Sequence, residues 1–188
     1  MASEKFVSRG GEKLQAAIVN FQLSIVNFVC LDVGSSTGGF VDCLLQNGAA
    51  KVYALDTAYG ELAWKLRNDP RVVVMERTNV LYLQSLPEQV DLVTIDAGWT
   101  KLELILPVIK KFLKPNGQII ALLKPQYEVD KRLLIKGVLP ADIAEKTKDD
   151  VIKKIKDLGF KIQEIMDSPI LGGGGNREYL LLIRWEVN

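Results

Sequence analysis

Residues 29–40 contain a glycine-rich segment whose composition is typical of a ligand-binding loop. An apolar run at residues 29–33 ends in a turn with glycines at positions 34, 38 and 39, and an amphipathic segment follows. Glycine lets the backbone turn sharply and lets a ligand approach the main chain more closely than a Cβ atom would permit. We therefore predict a strand, a tight loop and a helix start whose free N–H groups, from about Thr37 onward, point at the ligand.

The absence of two common motifs narrows the choice of ligand. A dinucleotide fingerprint would need glycine at position 36, which is Ser36, and a phosphate-binding P-loop would need a Gly-Lys-Ser/Thr sequence, which is absent. The next predicted strand ends at Asp56, roughly 20 residues past the loop, where an acid can accept hydrogen bonds from a ribose diol. The ribose of an adenosine would provide such a diol. Because Asp32 precedes the glycines, the pattern favours an adenosine that carries an amino acid, which is S-adenosylmethionine.

Polar groups at the end of the third predicted strand complete the predicted cofactor site. Thr78 and Asn79 fall where polar side chains can reach an adenine edge. The predicted cofactor-binding residues are Asp32, Gly34, Ser35, Ser36, Thr37, Gly38, Gly39, Phe40, Asp56, Thr57, Thr78, Asn79 and Asp96. On the motif alone two alternatives stay open, namely another nucleotide and a structural turn that binds no ligand.

Two charged side chains, Asp96 and Lys124, stand at the ends of further predicted strands. Ligands of an open parallel sheet bind outside the carboxyl ends of the strands, so both side chains should face one crevice. Burying a lysine is costly unless it is paired, and desolvation favours its neutral form. Lys124 is therefore a candidate general base whose titration is coupled to that of Asp96. The alternative is that Asp96 and Lys124 form only a structural ion pair at the end of the sheet.

The composition argues against several other kinds of site. The chain has no histidine, which excludes Ser-His-Asp and Cys-His nucleophilic catalysis and makes a zinc site improbable, so no metal is predicted. Cys30 and Cys43 lack metal-ligand spacing and are expected to be buried small hydrophobes. No apolar stretch is long enough for a signal or a membrane span, so we expect a cytoplasmic protein without a membrane partner.

The overall charge does not point to nucleic acid. The 24 basic and 23 acidic residues nearly cancel, so any contact with RNA must come from a local patch. The candidate members of such a patch are Arg9, Lys13, Arg77, Lys131, Arg132, Lys136 and Arg177. Scattered surface charges are the alternative explanation for these residues.

Alternating strand and helix patterns would position these side chains in one α/β domain over residues 1–188, with residues 1–7 as a flexible lead-in. Strands are predicted at residues 29–33, 51–56, 71–77, 90–96, 118–125, 161–166 and 178–185. Helices are predicted from about residue 14 and at 38–47, 59–68, 102–113 and 141–158. The strands are apolar runs, as in a parallel sheet covered by helices on both faces. Residues 126–140 are predicted to be a loop, and the glycines at 172–175 either a mobile linker or a loop over the site.

Six separated motifs occur in order along nearly the whole chain: SRGGEKL at 8–14, CLDVGSSTGGF at 30–40, ELAWKLR at 61–67, ERTN at 76–79, KPQ at 124–126 and GNRE at 175–178. Together they resemble the FtsJ-like RNA 2′-O-methyltransferases, and most of all the hemolysin A (TlyA) branch of that superfamily. The resemblance implies a Rossmann-like S-adenosylmethionine-dependent methyltransferase with a seven-stranded, mostly parallel sheet and helices on both faces.

The resemblance also implies a Lys-Asp-Lys-Glu catalytic tetrad at Lys13, Asp96, Lys124 and Glu178. The pattern of strand ends already points to Asp96 and Lys124, and the resemblance adds Lys13 and Glu178. Taken alone, Lys13 would be an exposed lysine near a helix start, where a cation opposes the helix dipole. The implied reaction methylates a ribose 2′-hydroxyl, with RNA as partner, most of all ribosomal RNA or a ribosomal subunit.

The chain departs from the family pattern on the expected substrate side. The branch usually carries a small RNA-binding module before the methyltransferase domain, and we expect this chain to be the methyltransferase domain without it. The loop at 172–175 lacks the family's proline and lysine, Asp142 is not preceded by the family's arginine, and Trp99 stands where a phenylalanine is usual. The competing interpretation is therefore a cofactor-binding protein that has lost its RNA substrate or needs a partner chain. No spanning segment supports the pore formation that the name hemolysin suggests.

Overall fold

The structure, a computed structural model, describes residues 5–185. Within them seven strands form one sheet: β1 (Val29–Val33), β2 (Lys51–Leu55), β3 (Val72–Met75), β4 (Val90–Ile95), β5 (Leu113–Leu123), β6 (Phe160–Asp167) and β7 (Tyr179–Trp185). Their order across the sheet is β3-β2-β1-β4-β5-β7-β6. Every neighbouring pair is parallel except the two that β7 makes with β5 and β6. This confirms the predicted seven-stranded, mostly parallel sheet of a Rossmann-like α/β fold.

Helices cover both faces of the sheet, as predicted. The helices are α1 (Gly10–Asn20), α2 (Gly39–Gln46), α3 (Trp64–Arg67), α4 (Leu102–Ile109), α5 (Pro125–Glu128) and α6 (Ala141–Asp157). Leu14 of α1 and Phe40 of α2 belong to the apolar cluster on one face, and Ile105 of α4 and Ile155 of α6 belong to the cluster on the other. Side chains alternate along each strand, so both faces of the sheet have an apolar core.

Several predicted element boundaries differ in the structure. In the helix predicted at 59–68, only Trp64–Arg67 is helical, because Gly60 has a φ of +80° and donates its N–H to Glu76 Oε1 at 3.0 Å. The helix predicted at 102–113 ends at Ile109 and continues as a 3₁₀ turn. β5 starts five residues earlier than predicted, and the pairing register between β4 and β5 shifts over its first part.

Two segments predicted to be irregular contain ordered elements. Residues 126–140, predicted as a loop, include most of α5, a 3₁₀ turn at Lys131–Leu133 and a bridge between Ile135 and Val138. Residues 1–4 of the predicted lead-in lie outside the described residues. Phe6, by contrast, is 4% exposed in the core, and the Val7 N–H donates to Asp42 Oδ2 at 2.9 Å. The prediction of a flexible lead-in is therefore wrong for Phe6 and Val7.

Some properties of the described chain limit the kind of site it holds. Both cysteines are free and buried, which agrees with their expected role as small hydrophobes. Across residues 5–185 no helix is both long enough and apolar enough to span a membrane. In the same residues no three histidine, cysteine, aspartate or glutamate side chains are grouped as a metal ion would require.

Candidate active site

The loops after β1 and β4 meet at the point where the strand order reverses, which is where open α/β sheets bind ligands. The Asp96 N–H donates to the Val33 carbonyl at 2.9 Å, so the two strand ends stay paired up to the loops. Gly34 has a φ of +88°, and a Cβ atom there would lie 2.8 Å from the Asp96 carbonyl oxygen. Glycine at this position is what allows the two loops to come together.

Two cavities adjoin this point. The large cavity, of about 630 Å³, lies beyond the ends of β1 to β5 and has the size of a small-molecule site. The predicted residues that line it are Gly34, Ser36, Asp56, Thr57, Thr78, Asn79, Asp96 and Lys124. The small cavity, of about 260 Å³, is lined by Lys13 and also by Gly34, Ser35, Ser36, Thr37, Gly39, Phe40 and Asp96. The cavities share Gly34, Ser36 and Asp96, so a ligand in one can touch a ligand in the other.

The Asp56 carboxylate organises the glycine loop at the large cavity. Its Oδ2 accepts the Ser36 N–H at 2.7 Å, and its Oδ1 accepts the Ala58 N–H at 2.8 Å. A carboxylate has about four acceptor sites, so each oxygen can still accept a hydroxyl group. At the next strand end, Asn79 Oδ1 accepts the Leu81 N–H at 2.9 Å, and its amide NH₂ donates to no protein atom within residues 5–185. These contacts suit the ribose and adenine sites predicted there.

Two predicted cofactor-binding residues line neither cavity. Asp32 is fully buried, and its Oδ1 accepts the Thr94 hydroxyl at 2.6 Å, which ties β1 to β4. Burial raises the pKa of Asp32 to about 7. Gly38 has a φ of +99°, and a Cβ atom there would lie 2.8 Å from Leu62 Cδ1. Both residues contribute to the packing around the loop, and their contact with the cofactor stays a prediction.

The four predicted catalytic residues form two ion pairs, one that includes Asp96, where the cavities meet, and one that includes Lys13 in the wall of the small cavity. Lys124 Nζ lies 2.6 Å from Asp96 Oδ1, and Lys13 Nζ lies 2.6 Å from Glu178 Oε2. The Lys13 and Glu178 side chains are only 12% and 3% exposed. Burial is the largest influence on Asp96 and raises its pKa, whereas the charges of Lys124 and Lys13 act in the opposite direction. The two pairs therefore share one electrostatic environment.

Close contact between two helix starts brings Lys13 to this site. A Cβ atom at Gly39, the first residue of α2, would lie 2.8 Å from the Gly11 backbone nitrogen in α1. Glycine at position 39 is therefore required for the close approach of the helices. Arg9, the N-cap residue of α1, makes no side-chain capping bond, and the Ser8 carbonyl accepts the Gly11 N–H at 3.1 Å. Lys13 lies one turn into α1 and reaches Glu178 from there.

The glycine-rich segment at 172–175 lies over Glu178. Gly172 and Gly173 line the small cavity, and a Cβ atom at Gly172 would overlap the Glu178 carboxylate. The segment contains a 3₁₀ turn in which the Gly175 N–H donates to the Gly172 carbonyl at 3.1 Å. Of the two predicted alternatives, this placement corresponds to the loop over the site.

Sequence reasoning assigned no role to two buried amides and one aromatic side chain near the site. Gln126 is 5% exposed and donates to Glu178 Oε1 at 3.4 Å, and Asn176 is 3% exposed. Both amides belong to motifs recognised in the sequence, but only the fold shows their contacts. Tyr127 packs against Trp99 with ring centroids 4.6 Å apart and the ring planes tilted by 43°, and Lys131 Nζ lies 4.1 Å from the Trp99 ring centre. Trp99 is 67% exposed and lines the large cavity.

Replacing Gly34 with alanine should weaken both folding and binding of S-adenosylmethionine, the predicted ligand. The left-handed backbone costs about 1–2 kcal/mol for a residue with a Cβ atom, and the overlap with Asp96 adds about 1–3 kcal/mol. Gly60→Ala is the matched control, because Gly60 has a φ of +80° but no atom within 4 Å of the added Cβ. Urea unfolding and calorimetry should show the larger losses for Gly34→Ala. Equal losses in both variants would contradict the close-approach argument.

Comparison with known proteins gives a consistent set of relatives. The sequence model of the FtsJ-like methyltransferase family matches residues 6–185. The chain is 44% identical to the "Putative rRNA methyltransferase YqxC" of Bacillus subtilis over 96% of this chain and 66% of the relative. It is 40% identical to the "16S/23S rRNA (cytidine-2'-O)-methyltransferase TlyA" of Mycobacterium tuberculosis over 97% of this chain and 70% of the relative. The crystal structure of a "putative hemolysin" from Lactococcus lactis superposes with a TM-score of 0.92 at 42% identity, covering 96% of this chain and 89% of the other.

Proposed function

Because the chain belongs to the FtsJ-like methyltransferase family, we propose that it transfers a methyl group from S-adenosylmethionine to a ribose 2′-hydroxyl of ribosomal RNA. The relative from Mycobacterium tuberculosis carries a 2′-O activity on ribosomal RNA in its name. The observation that best supports the proposal for this chain is geometric. The large and small cavities meet at Asp96, and Asp96 holds the lysine that would receive a proton there.

The residues of the large cavity fit S-adenosylmethionine, the methyl donor that this family and fold imply. Asp56 retains acceptor capacity for the ribose hydroxyls, and the amide NH₂ of Asn79 can donate to adenine. Glu61 and Asp96 add further carboxyl groups to the cavity wall, and negative charge favours a sulfonium cation. When bound, the cofactor supplies an electrophilic methyl group on sulfur.

The ion-paired residues would activate and orient the ribose hydroxyl. Lys124, in its neutral form, would accept the hydroxyl proton on Nζ while the oxygen forms its bond to the methyl carbon. Bound S-adenosylmethionine would supply the methyl group and its sulfur would keep the electron pair of the carbon–sulfur bond, so the positive charge would end on the Lys124 ammonium. Asp96 would hold that ammonium, and Lys13 with Glu178 would orient the hydroxyl from the small cavity.

A mixed aromatic and basic surface beside the large cavity supports RNA as the substrate. Trp99 exposes a large stacking area, and the Lys131 ammonium lies above its ring. Aromatic rings stack on unpaired bases, and RNA is recognised largely through such bases, phosphates and 2′-hydroxyls. Because ribosomal RNA is the proposed substrate, we also propose that the protein acts in the cytoplasm.

The test is a transfer assay with S-adenosylmethionine labelled at the methyl carbon. Intact ribosomal subunits and protein-free ribosomal RNA are the acceptors, and cofactor affinity is measured by calorimetry on the same protein. We expect label in RNA that resists alkaline cleavage at one linkage, because a 2′-O-methylated ribose lacks the hydroxyl that alkali needs. Label on a base or on protein would overturn the proposal. Cofactor binding without transfer to any RNA would instead favour a protein that needs a partner chain or has lost catalysis.

A further inference from the structure

The side chain of Asn176 connects two segments next to the candidate active site. Asn176 is 3% exposed, and its Oδ1 accepts the Leu139 N–H at 2.9 Å. Its Nδ2 donates to the Gly137 carbonyl at 3.0 Å and to the Gly173 carbonyl at 2.8 Å. One buried amide thus makes three backbone hydrogen bonds, and removing it would leave the buried Leu139 N–H without this partner.

The first segment is a tight hairpin at residues 135–138. Ile135 and Val138 exchange both backbone hydrogen bonds, at 2.8 and 3.0 Å. The two residues between them, Lys136 and Gly137, have φ values of +51° and +83°, as in a type I′ turn. Such a turn has a defined backbone conformation, so the 135–138 hairpin is a firm point of attachment for Asn176.

The second segment is the glycine loop at residues 172–175. It has no Cβ atoms, so its conformation depends on contacts made from outside. The Gly172 N–H donates to the Asn176 carbonyl at 2.8 Å, in addition to the bond from Asn176 Nδ2 to the Gly173 carbonyl. Both glycines line the small cavity, and Gly172 packs directly on the Glu178 carboxylate.

The residues on either side of Glu178 are attached to α6. Arg177 and the Tyr179 hydroxyl both donate to Glu145 Oε1, at 3.1 and 2.8 Å. Side chains alternate along an extended chain, so Glu178 points away from these two and towards Lys13. Asn176, two residues before Glu178, fixes the start of this extended segment against the 135–138 hairpin.

We propose that Asn176 is a positioning residue for methyl transfer, because it fastens the glycine loop to the 135–138 hairpin and thereby holds Glu178 against Lys13. Asn176 lines neither the large nor the small cavity, so it acts through the loop and Glu178. The inference rests on the proposed function, and it adds a residue to which the sequence comparison assigns no role.

The test compares Asn176→Ala with Asn47→Ala. Asn47 is the matched control, since its Nδ2 donates to Gln15 Oε1 at 3.0 Å and to the Cys43 carbonyl at 2.8 Å, and it lies just past the C-terminal end of α2, opposite the end that faces the site. We expect kcat for RNA methylation to fall by about 100-fold in Asn176→Ala, with cofactor Kd unchanged, because a displacement of about 1 Å is enough for such a loss. Asn47→Ala should lose stability but keep kcat.

Amide hydrogen exchange provides a readout that does not depend on turnover. In Asn176→Ala we expect faster exchange at the amides of residues 172–176 and at Leu139, with unchanged exchange in β1 and β4. Unchanged kcat, or an equal loss of kcat in Asn47→Ala, would overturn the positioning role. If the wild-type protein transfers no methyl group to RNA, the proposed function fails, and unchanged exchange in the loop would then separately overturn the structural part of the inference.

Discussion

Replacing Lys124 with alanine should lower the rate of methyl transfer by about 10²- to 10⁴-fold, which is the usual contribution of a general base. Cofactor affinity should change far less, because the contacts expected for ribose and adenine come from Asp56 and Asn79 at other strand ends. The measurement is single-turnover transfer to ribosomal RNA together with calorimetric binding of S-adenosylmethionine. A parallel loss of binding and transfer would show that Lys124 supports the cofactor and is not the base.

The variant Lys124→Arg separates the role of a base from that of a positive charge. Arginine can keep an ion pair with Asp96 but stays protonated in proteins, so it cannot accept the hydroxyl proton. We expect Lys124→Arg to be as inactive as Lys124→Ala. Lys114→Ala is the matched control, since Lys114 stands near the opposite end of β5 and pairs with Asp91 at 2.9 Å on the surface. If Lys124→Arg retained most of the activity, charge and not proton transfer would be its contribution.

Removing the Glu178 carboxylate should destabilise the fold and abolish transfer together. In Glu178→Leu the Lys13 ammonium, only 12% exposed, loses the partner that lies 2.6 Å away. An uncompensated buried charge costs about 3–5 kcal/mol, so we expect a fall of that size in the free energy of unfolding. Urea denaturation measures it. Glu103→Leu is the control, because Glu103 pairs with Lys154 at 2.8 Å on the surface, with the Lys154 side chain 47% exposed, and such a pair should be worth at most about 1 kcal/mol.

The double variant Lys13→Met/Glu178→Leu distinguishes folding from catalysis. Apolar side chains in place of a buried ion pair are often neutral or stabilising, so most of the stability lost in Glu178→Leu should return. Transfer should stay absent, because the hydroxyl has lost both groups that orient it. Restored activity in the stable double variant would mean that this pair serves only the fold. Failure to restore stability would mean that Glu178 stabilises the fold through other partners, such as Gln126, whose side chain donates to Glu178 Oε1.

The sequence by itself determined the sheet and the edge of the sheet that carries the chemistry. Apolar runs that end at Gly34, Asp96 and Lys124 predict parallel strands, and the carboxyl ends of parallel strands share one edge. Local patterns were less reliable where a long-range contact competes with helix formation. Residues 59–63 are held by hydrogen bonds to Glu76 and Thr37, although their composition favours a helix.

Only the tertiary structure decided which polar residues face the cavities and which lie within the core. Asp32 stands only two residues before Gly34, yet its carboxylate accepts the Thr94 hydroxyl within the core, because Thr94 is its register partner on β4. Lys13 and Glu178 are 165 residues apart, and no local pattern predicts their contact. The same holds for Asn176, whose three partners are backbone groups of two other turns. Hydrogen bonds to backbone groups leave no residue-type signal in the partner sequence, so such contacts become visible only once the chain is folded.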